Sequence, residues 1–239
     1  MLILPFGKRT PLLEPHFRRG RIMKKYLLAL PGVTLITTPA LAHHPLGGMP
    51  METFAHGVLS GIGHPLLGFD HLFFVIIVGI AALYTGRALL APAAYIAAML
   101  VGCLLMSLGT GLPLKEAVIG FSLLAVGGVV LSGRALGLVP ALVLFGAFGL
   151  FHGSAFGESI AAQESSAGAA VLIGYLIGLG VLQYAIAVAA GWVAKNIWKA
   201  TEAQAIEARL AGAVVAGVGL YLTLENSEGF VLGLLGWSA

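Results

Sequence analysis

The stretch PLLGFDHLFFVIIVGIAALY, residues 65–84, decides how the rest of the chain must be read. Its 20 residues suffice to cross the hydrocarbon core of a bilayer as a helix. Its only acidic or basic side chains, Asp70 and His71, stand near its beginning. A soluble domain can bury one such segment, but not several. Working outward, five more apolar runs follow: residues 89–109, 117–133, 135–157, 165–194 and 208–224. The first and third of these five contain no acidic or basic side chain except His152. The run 117–133 is shorter, 165–194 is long enough to span with tilt, and 230–237 is too short to cross and is expected at the interface.

Composition agrees. Apolar residues make up 59% of the chain and charged ones 10%, where an ordinary soluble domain is roughly a quarter charged. With a mean hydropathy of +0.98, so much apolar surface cannot be hidden in a single core. The expected fold class is therefore all-α, a polytopic membrane protein whose six transmembrane helices form a bundle in the lipid bilayer.

The sequence pI of about 9.1 is misleading, because seven of the 13 Lys and Arg precede residue 26. From His43 onward six basic residues face nine acidic ones, and nothing points to a nucleic-acid partner. Cys103 is the single cysteine, which excludes an internal disulfide and a CxxC metal site.

The early basic residues belong to a targeting segment. Met23-Lys24-Lys25 opens a basic stretch, residues 26–37 form an apolar centre, and Ala40-Leu41-Ala42 fits the small-x-small rule for cleavage. Pro31 and Pro39 interrupt the run and argue against a retained first helix. Residues 1–22, rich in Arg and Pro, precede the signal awkwardly, and Met23 reads as the start. The expected organisation is an N-terminal extension and signal peptide over 1–42, then a transmembrane domain over 43–239. Cleavage leaves His43-His44-Pro45 as the mature terminus.

Orientation is tested by a separate signal. With the mature N-terminus outside, the inner loops carry Arg87, Arg134, Lys195, Lys199 and Arg209, whereas the outer connections carry Lys115 as their one basic residue. That distribution obeys the positive-inside rule. The expected location is a bacterial inner membrane, with the terminus on the periplasmic side. Gly149, Gly153 and Gly157, and likewise Gly174 and Gly178, recur at the four-residue spacing that lets helices approach closely in lipid. Such faces would also suit a homo-oligomer.

Ionisable groups at membrane depth are costly, about 2.5–3.5 kcal/mol for Asp on insertion scales, so they face a partner or a cavity. The richest run is Gly63-His64-Pro65-Leu66-Leu67-Gly68-Phe69-Asp70-His71. On one continuous helix His64 and His71, seven apart, project from the same face, and Pro65 suits the first helical position. Asp70 would point elsewhere, to orient an imidazole or serve as a ligand itself. The second group runs from Phe151 through His152, Gly153 and Ser154 to Glu158. Imidazole with carboxylate suits nickel, cobalt or zinc, and few, exchangeable ligands suit an ion that must leave. His43, His44 and His56 are expected outside, where they could capture an ion. Gln183 and Tyr184 stand mid-helix in the fifth span, while Met99, Cys103 and Met106 read as core packing.

At these residues the sequence resembles the HupE/UreJ family, the hydrogenase- and urease-accessory permeases associated with nickel or cobalt uptake. The family pattern is a signal peptide, a His-bearing mature terminus, a first-helix H-P-x-x-G-x-D-H motif and a fourth-helix F-H-G motif. Residues 64–71 and 151–153 match both motifs in full, and the likeness extends from Met23 to Leu224. The resemblance implies that His64, Asp70, His71 and His152 line a metal path, with Glu158 as companion. It implies import of a divalent ion and no bound cofactor beyond the transported Ni2+ or Co2+. In one respect the chain departs. Many members continue the second motif as H-G-x-A-H-G, where this chain has Phe156, so the choice between nickel and cobalt stays open.

Three functions compete on the residues alone. A secondary permease fits the intramembrane His and Asp and the lack of a GxxxxGK[ST] nucleotide motif. An intramembrane metal-dependent hydrolase would use Ser154 or a metal-bound water, but Gly153-Ser154-Ala155 is no G-x-S-x-G elbow. A non-transporting metal-binding accessory protein would need a docking surface that the short outer loops scarcely provide. The expectation is a permease and not an enzyme.

Overall fold

A computed structural model of the chain describes residues 50–161 and 168–235. The signal peptide, its cleavage site, His43 and His44 lie outside these residues. Seven helices and no strand occur among the described residues: α1 Phe54–Leu67, α2 Phe69–Leu83, α3 Leu90–Ser107, α4 Lys115–Leu131, α5 Leu138–Ala161, α6 Ala169–Asn196 and α7 Ile206–Leu234. The class is all-α. Four of them, α3, α5, α6 and α7, are long and apolar enough to cross a membrane, and α1–α2, a pair bent by 84°, makes a fifth if it counts as one span.

That break corrects the expectation of one continuous helix from residue 65. Helix formation begins earlier, at Phe54, where the Thr53 hydroxyl accepts the His56 amide as an N-cap. Pro65 is thus an interior residue of α1 rather than its first, and it cannot donate a backbone hydrogen bond there. Three residues later Gly68 adopts an extended backbone (φ −88°, ψ 96°), its amide bonds back to the His64 carbonyl, and the chain turns by 84° into α2. Consequently His64 ends one helix and His71 begins another. They do not share a helix face. Asp70 falls in the first turn of α2, where a carboxylate offsets the positive end of the helix dipole.

The C-terminal end differs as well. No separate interfacial piece begins near residue 230, because α7 runs unbroken through Glu225, Asn226, Ser227 and Glu228 to Leu234. A polar residue ends an apolar run, yet it does not end a helix.

Packing places α2 at the centre. Phe74, Val75, Ile77, Val78 and Ile80 are buried almost completely. Around α2 the other helices associate chiefly in pairs: α3 with α5, α4 with α7, and α1 with α6. The glycine spacing explains how closely they meet. A Cβ on Gly153 would stand 1.9 Å from the Met99 carbonyl oxygen, and one on Gly79 would stand 2.0 Å from that of Ala187. No side chain fits at either crossing. The Gly149/Gly153/Gly157 stripe is occupied by α3, and Gly174 and Gly178 by α1, all within the chain. Outward-facing positions such as Val139, Val143 and Val181 are about two-thirds exposed, as a lipid-facing surface requires.

Candidate functional site

The break at Gly68 brings the two motifs together. His64 at the end of α1 and His71 at the start of α2 both pack against Phe156 of α5, with ring centroids 5.5 and 4.1 Å from it. Phe156 is fully buried, and the Tyr175 hydroxyl donates to its carbonyl oxygen at 3.1 Å. The residue that departs from the second motif is thus an aromatic ring in contact with two imidazoles.

One helical turn before Phe156, His152 reaches His71. Their Nδ1 atoms stand 2.8 Å apart, with His152 fully buried and His71 7% exposed. Phe74 stacks on the His152 ring at 4.2 Å and 18°, and Tyr95 meets it edge-on at 6.0 Å. These aromatic walls fix the ring plane.

The protons can be assigned from the network. Ser122 of α4 donates its hydroxyl to the Ile119 carbonyl at 2.7 Å, and a serine has a single proton to give. Its Oγ, 2.9 Å from His152 Nε2, must therefore accept from that nitrogen. His152 is accordingly the Nε2–H tautomer, and its Nδ1 lone pair is turned toward His71, whose Nδ1–H donates to it. A metal-binding histidine commonly has its second nitrogen anchored in this manner. On the far side of His71, Nε2 lies 3.8 Å from Asp70 Oδ2, too long for a hydrogen bond but within ion-pair reach. Asp70 is partly exposed, so the pair opens on one side.

Of the residues expected to form the site, His64, Asp70, His71 and His152 converge. Glu158 does not join them: it is half exposed near the end of α5 and takes the Lys115 ammonium as its partner. His56 lies in the first turn of α1, where its Nδ1 accepts the Glu52 amide. Tyr184 donates to the Leu89 carbonyl, away from the histidines. Among the described residues no group of three His, Cys, Asp or Glu side chains is gathered closely enough to hold one metal ion. The preformed element is a pair.

Ser122, Phe74 and Tyr95 were not singled out by sequence. Ser122 had a signal, being the only polar side chain between Glu116 and Ser132 in an otherwise apolar helix. Phe74 and Tyr95 had none, since aromatic residues in apolar runs ordinarily just pack. Ser154, the candidate nucleophile, is fully buried; its Oγ accepts the Leu112 amide, and it bonds to no imidazole among the described residues.

Comparison with known proteins bears on the same residues. The family model described as HupE / UreJ protein matches residues 31–222. Protein HupE of Rhizobium leguminosarum bv. viciae is 27% identical over 165 residues, covering 66% of this chain and 84% of that protein. No solved structure matches the chain. The family match takes in α1 through α6, most of α7, and every member of the converging set. A match of that extent makes the chain a member of the HupE/UreJ family.

Proposed function

We propose that the chain is a secondary permease that imports a divalent transition-metal ion, nickel or cobalt, along a path lined by His64, Asp70, His71 and His152. The observation that carries this is the apposition of His71 Nδ1 and His152 Nδ1 at 2.8 Å in the interior, with the His152 lone pair directed at its neighbour by Ser122. Two nitrogens each bound about 2.05 Å from one cation at a right angle are about 2.9 Å apart, so the pair already has a cis-ligand spacing. When the His71 proton moves from Nδ1 to Nε2, the nitrogen facing Asp70, and the two rings turn toward a common point, the hydrogen bond is replaced by a two-nitrogen seat. Asp70, adjacent to His71, supplies negative charge for an arriving cation. His64, packed against Phe156, offers a third imidazole on entry.

The broken span supports the same reading. Transporters place interrupted helices where an ion crosses, because free backbone groups and mobile half-helices are tolerated beside a cavity. Six spans result if α1–α2 counts as one and α4, 17 residues and about 26 Å long, is included with the four long helices. In that topology, inserted in the inner membrane with the mature terminus outside, Glu158, His43 and His44 stand on the outer side as ion collectors. With no GxxxxGK[ST] motif in the sequence, a gradient, a partner or metal trapping inside the cell drives transport. No catalytic role is assigned.

Uptake of radioactive nickel and cobalt tests the proposal in cells that express wild type, His71→Ala or His152→Ala at matched membrane levels. Wild type accumulates one of the two metals and each variant loses that accumulation. Equal accumulation in all three strains removes the path.

A further inference from the structure

Beside the histidine pair, and reaching one turn further inward at Tyr95, lies a second set of donors. Tyr95 and Met99 stand one turn apart on α3, and Gln183 reaches them from α6; all three are completely buried. The Tyr95 hydroxyl donates to Gln183 Oε1 at 2.8 Å, and Gln183 Nε2 donates to Met99 Sδ at 2.8 Å. Reversing the amide would set its oxygen against the thioether sulfur, so the orientation is fixed by chemistry. Among the described buried residues this is the only polar side-chain cluster that does not include a histidine.

Its depth follows from the helix crossings. On parallel α3 and α5, Gly149 meets the Tyr95 carbonyl, Gly153 meets that of Met99, and Gly157 meets that of Cys103. Tyr95 therefore sits one turn nearer the start of α5 than His152 does. The start of α5 follows the loop with Arg134, and the start of α3 follows the loop with Arg87, the two loops assigned to the inner side by charge. Phe74 packs against both sets: it stacks on His152 and its ring stands 5.3 Å from that of Tyr95. An ion released by the pair toward the inside reaches Met99, level with Gly153, and Tyr95 one turn further in, with the Tyr95 ring 6.0 Å from the His152 ring.

We infer that Tyr95, Met99 and Gln183 form a second cation station, which receives the metal ion from the histidine pair on its way inward. This rests on the transport reading above. At rest the donors satisfy one another, so that the station is closed without an orphaned polar group. An arriving cation takes the place of both hydrogen bonds: the Gln183 carbonyl oxygen, the Tyr95 oxygen and the Met99 sulfur turn their lone pairs to it. The Tyr95 proton stays on the phenol, and the amide protons turn away. An amide oxygen, a phenol and a thioether are neutral and hold a divalent ion more weakly than imidazole and carboxylate do. A weaker inner station lets the ion leave.

The experiment uses the full chain with Gln183→Leu, which removes the central donor at similar volume. Three quantities are measured: radioactive nickel and cobalt uptake in cells, binding of the transported metal by the purified protein, and the folded fraction from thermal unfolding. The expected result is uptake reduced at least tenfold, binding within twofold of wild type, and an unchanged folded fraction; Gln183→Glu, which keeps the carbonyl donor, retains uptake. Wild-type uptake in the folded leucine variant overturns the inference. So does uptake that falls only in step with the folded fraction, which makes the cluster a tie between α3 and α6. Loss of binding together with uptake in folded protein also overturns it, since Gln183 would then belong to the outer site. If wild type itself moves neither metal, the transport reading fails instead, and His71→Ala in the same assay separates the two failures.

Discussion

Ser122→Ala is a small change with a specific expected consequence. The serine hydroxyl stands between the Ile119 carbonyl and His152 Nε2, and it alone determines which imidazole nitrogen is protonated. Alanine removes one oxygen and leaves the buried Nε2–H without an acceptor, a loss of about 1–3 kcal/mol for a stranded buried donor. Hydrogen bonds between membrane helices average nearer 0.6 kcal/mol, so the stability change should fall at the lower end of that range. The effect on metal binding is larger. Once unanchored, His152 can move its proton to Nδ1, and in that form it offers no lone pair on the side that faces His71, so the two-nitrogen seat is lost. Loss of a partner of this kind costs about 10- to 100-fold in metal affinity. Titration of the purified protein with nickel or cobalt should therefore show the dissociation constant rising by about one to two orders of magnitude. Ser122→Thr, which keeps the hydroxyl, should stay near wild type. Unchanged affinity in a folded Ser122→Ala protein would refute the reasoning, because the tautomer would then be set by something other than Ser122.

Gly153→Ala should prevent α3 and α5 from closing, since the new Cβ would be driven into the Met99 carbonyl oxygen, and a loss of about 3 kcal/mol or more is expected in thermal unfolding. Gly146→Ala, where nothing lies within 4 Å, should leave the midpoint unchanged or raise it slightly. Phe156→His places a third imidazole against both His64 and His71, and tighter nickel binding by the purified protein is the expected outcome. Glu158→Gln breaks a half-exposed pair with Lys115 and should change stability by less than about 1 kcal/mol, measured by the same unfolding curve.

The apolar runs made most of the helices legible, because α3, α5 and α6 are long stretches in which lipid is the only tolerable surrounding. Helix α1 escaped notice for a physical reason. Gly57 and Gly61 must be glycine, since a Cβ at either would stand 2.2 Å from a carbonyl oxygen of α6, and these residues dilute the apolar signal that a hydropathy reading needs. With α1 unseen, Pro65 looked like a helix start and the seven-residue spacing of His64 and His71 looked like one face. The histidines still converge, but by a bend at Gly68 and not by periodicity. At the other end, Glu225 and Asn226 closed the apolar run, yet Glu225 accepts from Tyr221 one turn earlier and Asn226 donates to the Glu116 carbonyl, so the helix continues. Within the site, His64, Asp70, His71 and His152 were legible because intramembrane ionisable groups are rare. Ser122 and the Tyr95–Gln183 contact were not, because a hydroxyl or an amide in an apolar helix acquires meaning only through the helix it faces.

X-ray absorption at the metal edge of purified, nickel- or cobalt-loaded protein tests the His71–His152 seat most directly. Scattering from at least two imidazole rings is expected in wild type, falling by one ring in His71→Ala and by one in His152→Ala. A first shell of oxygen alone, or an imidazole count unmoved by either substitution, would contradict the account.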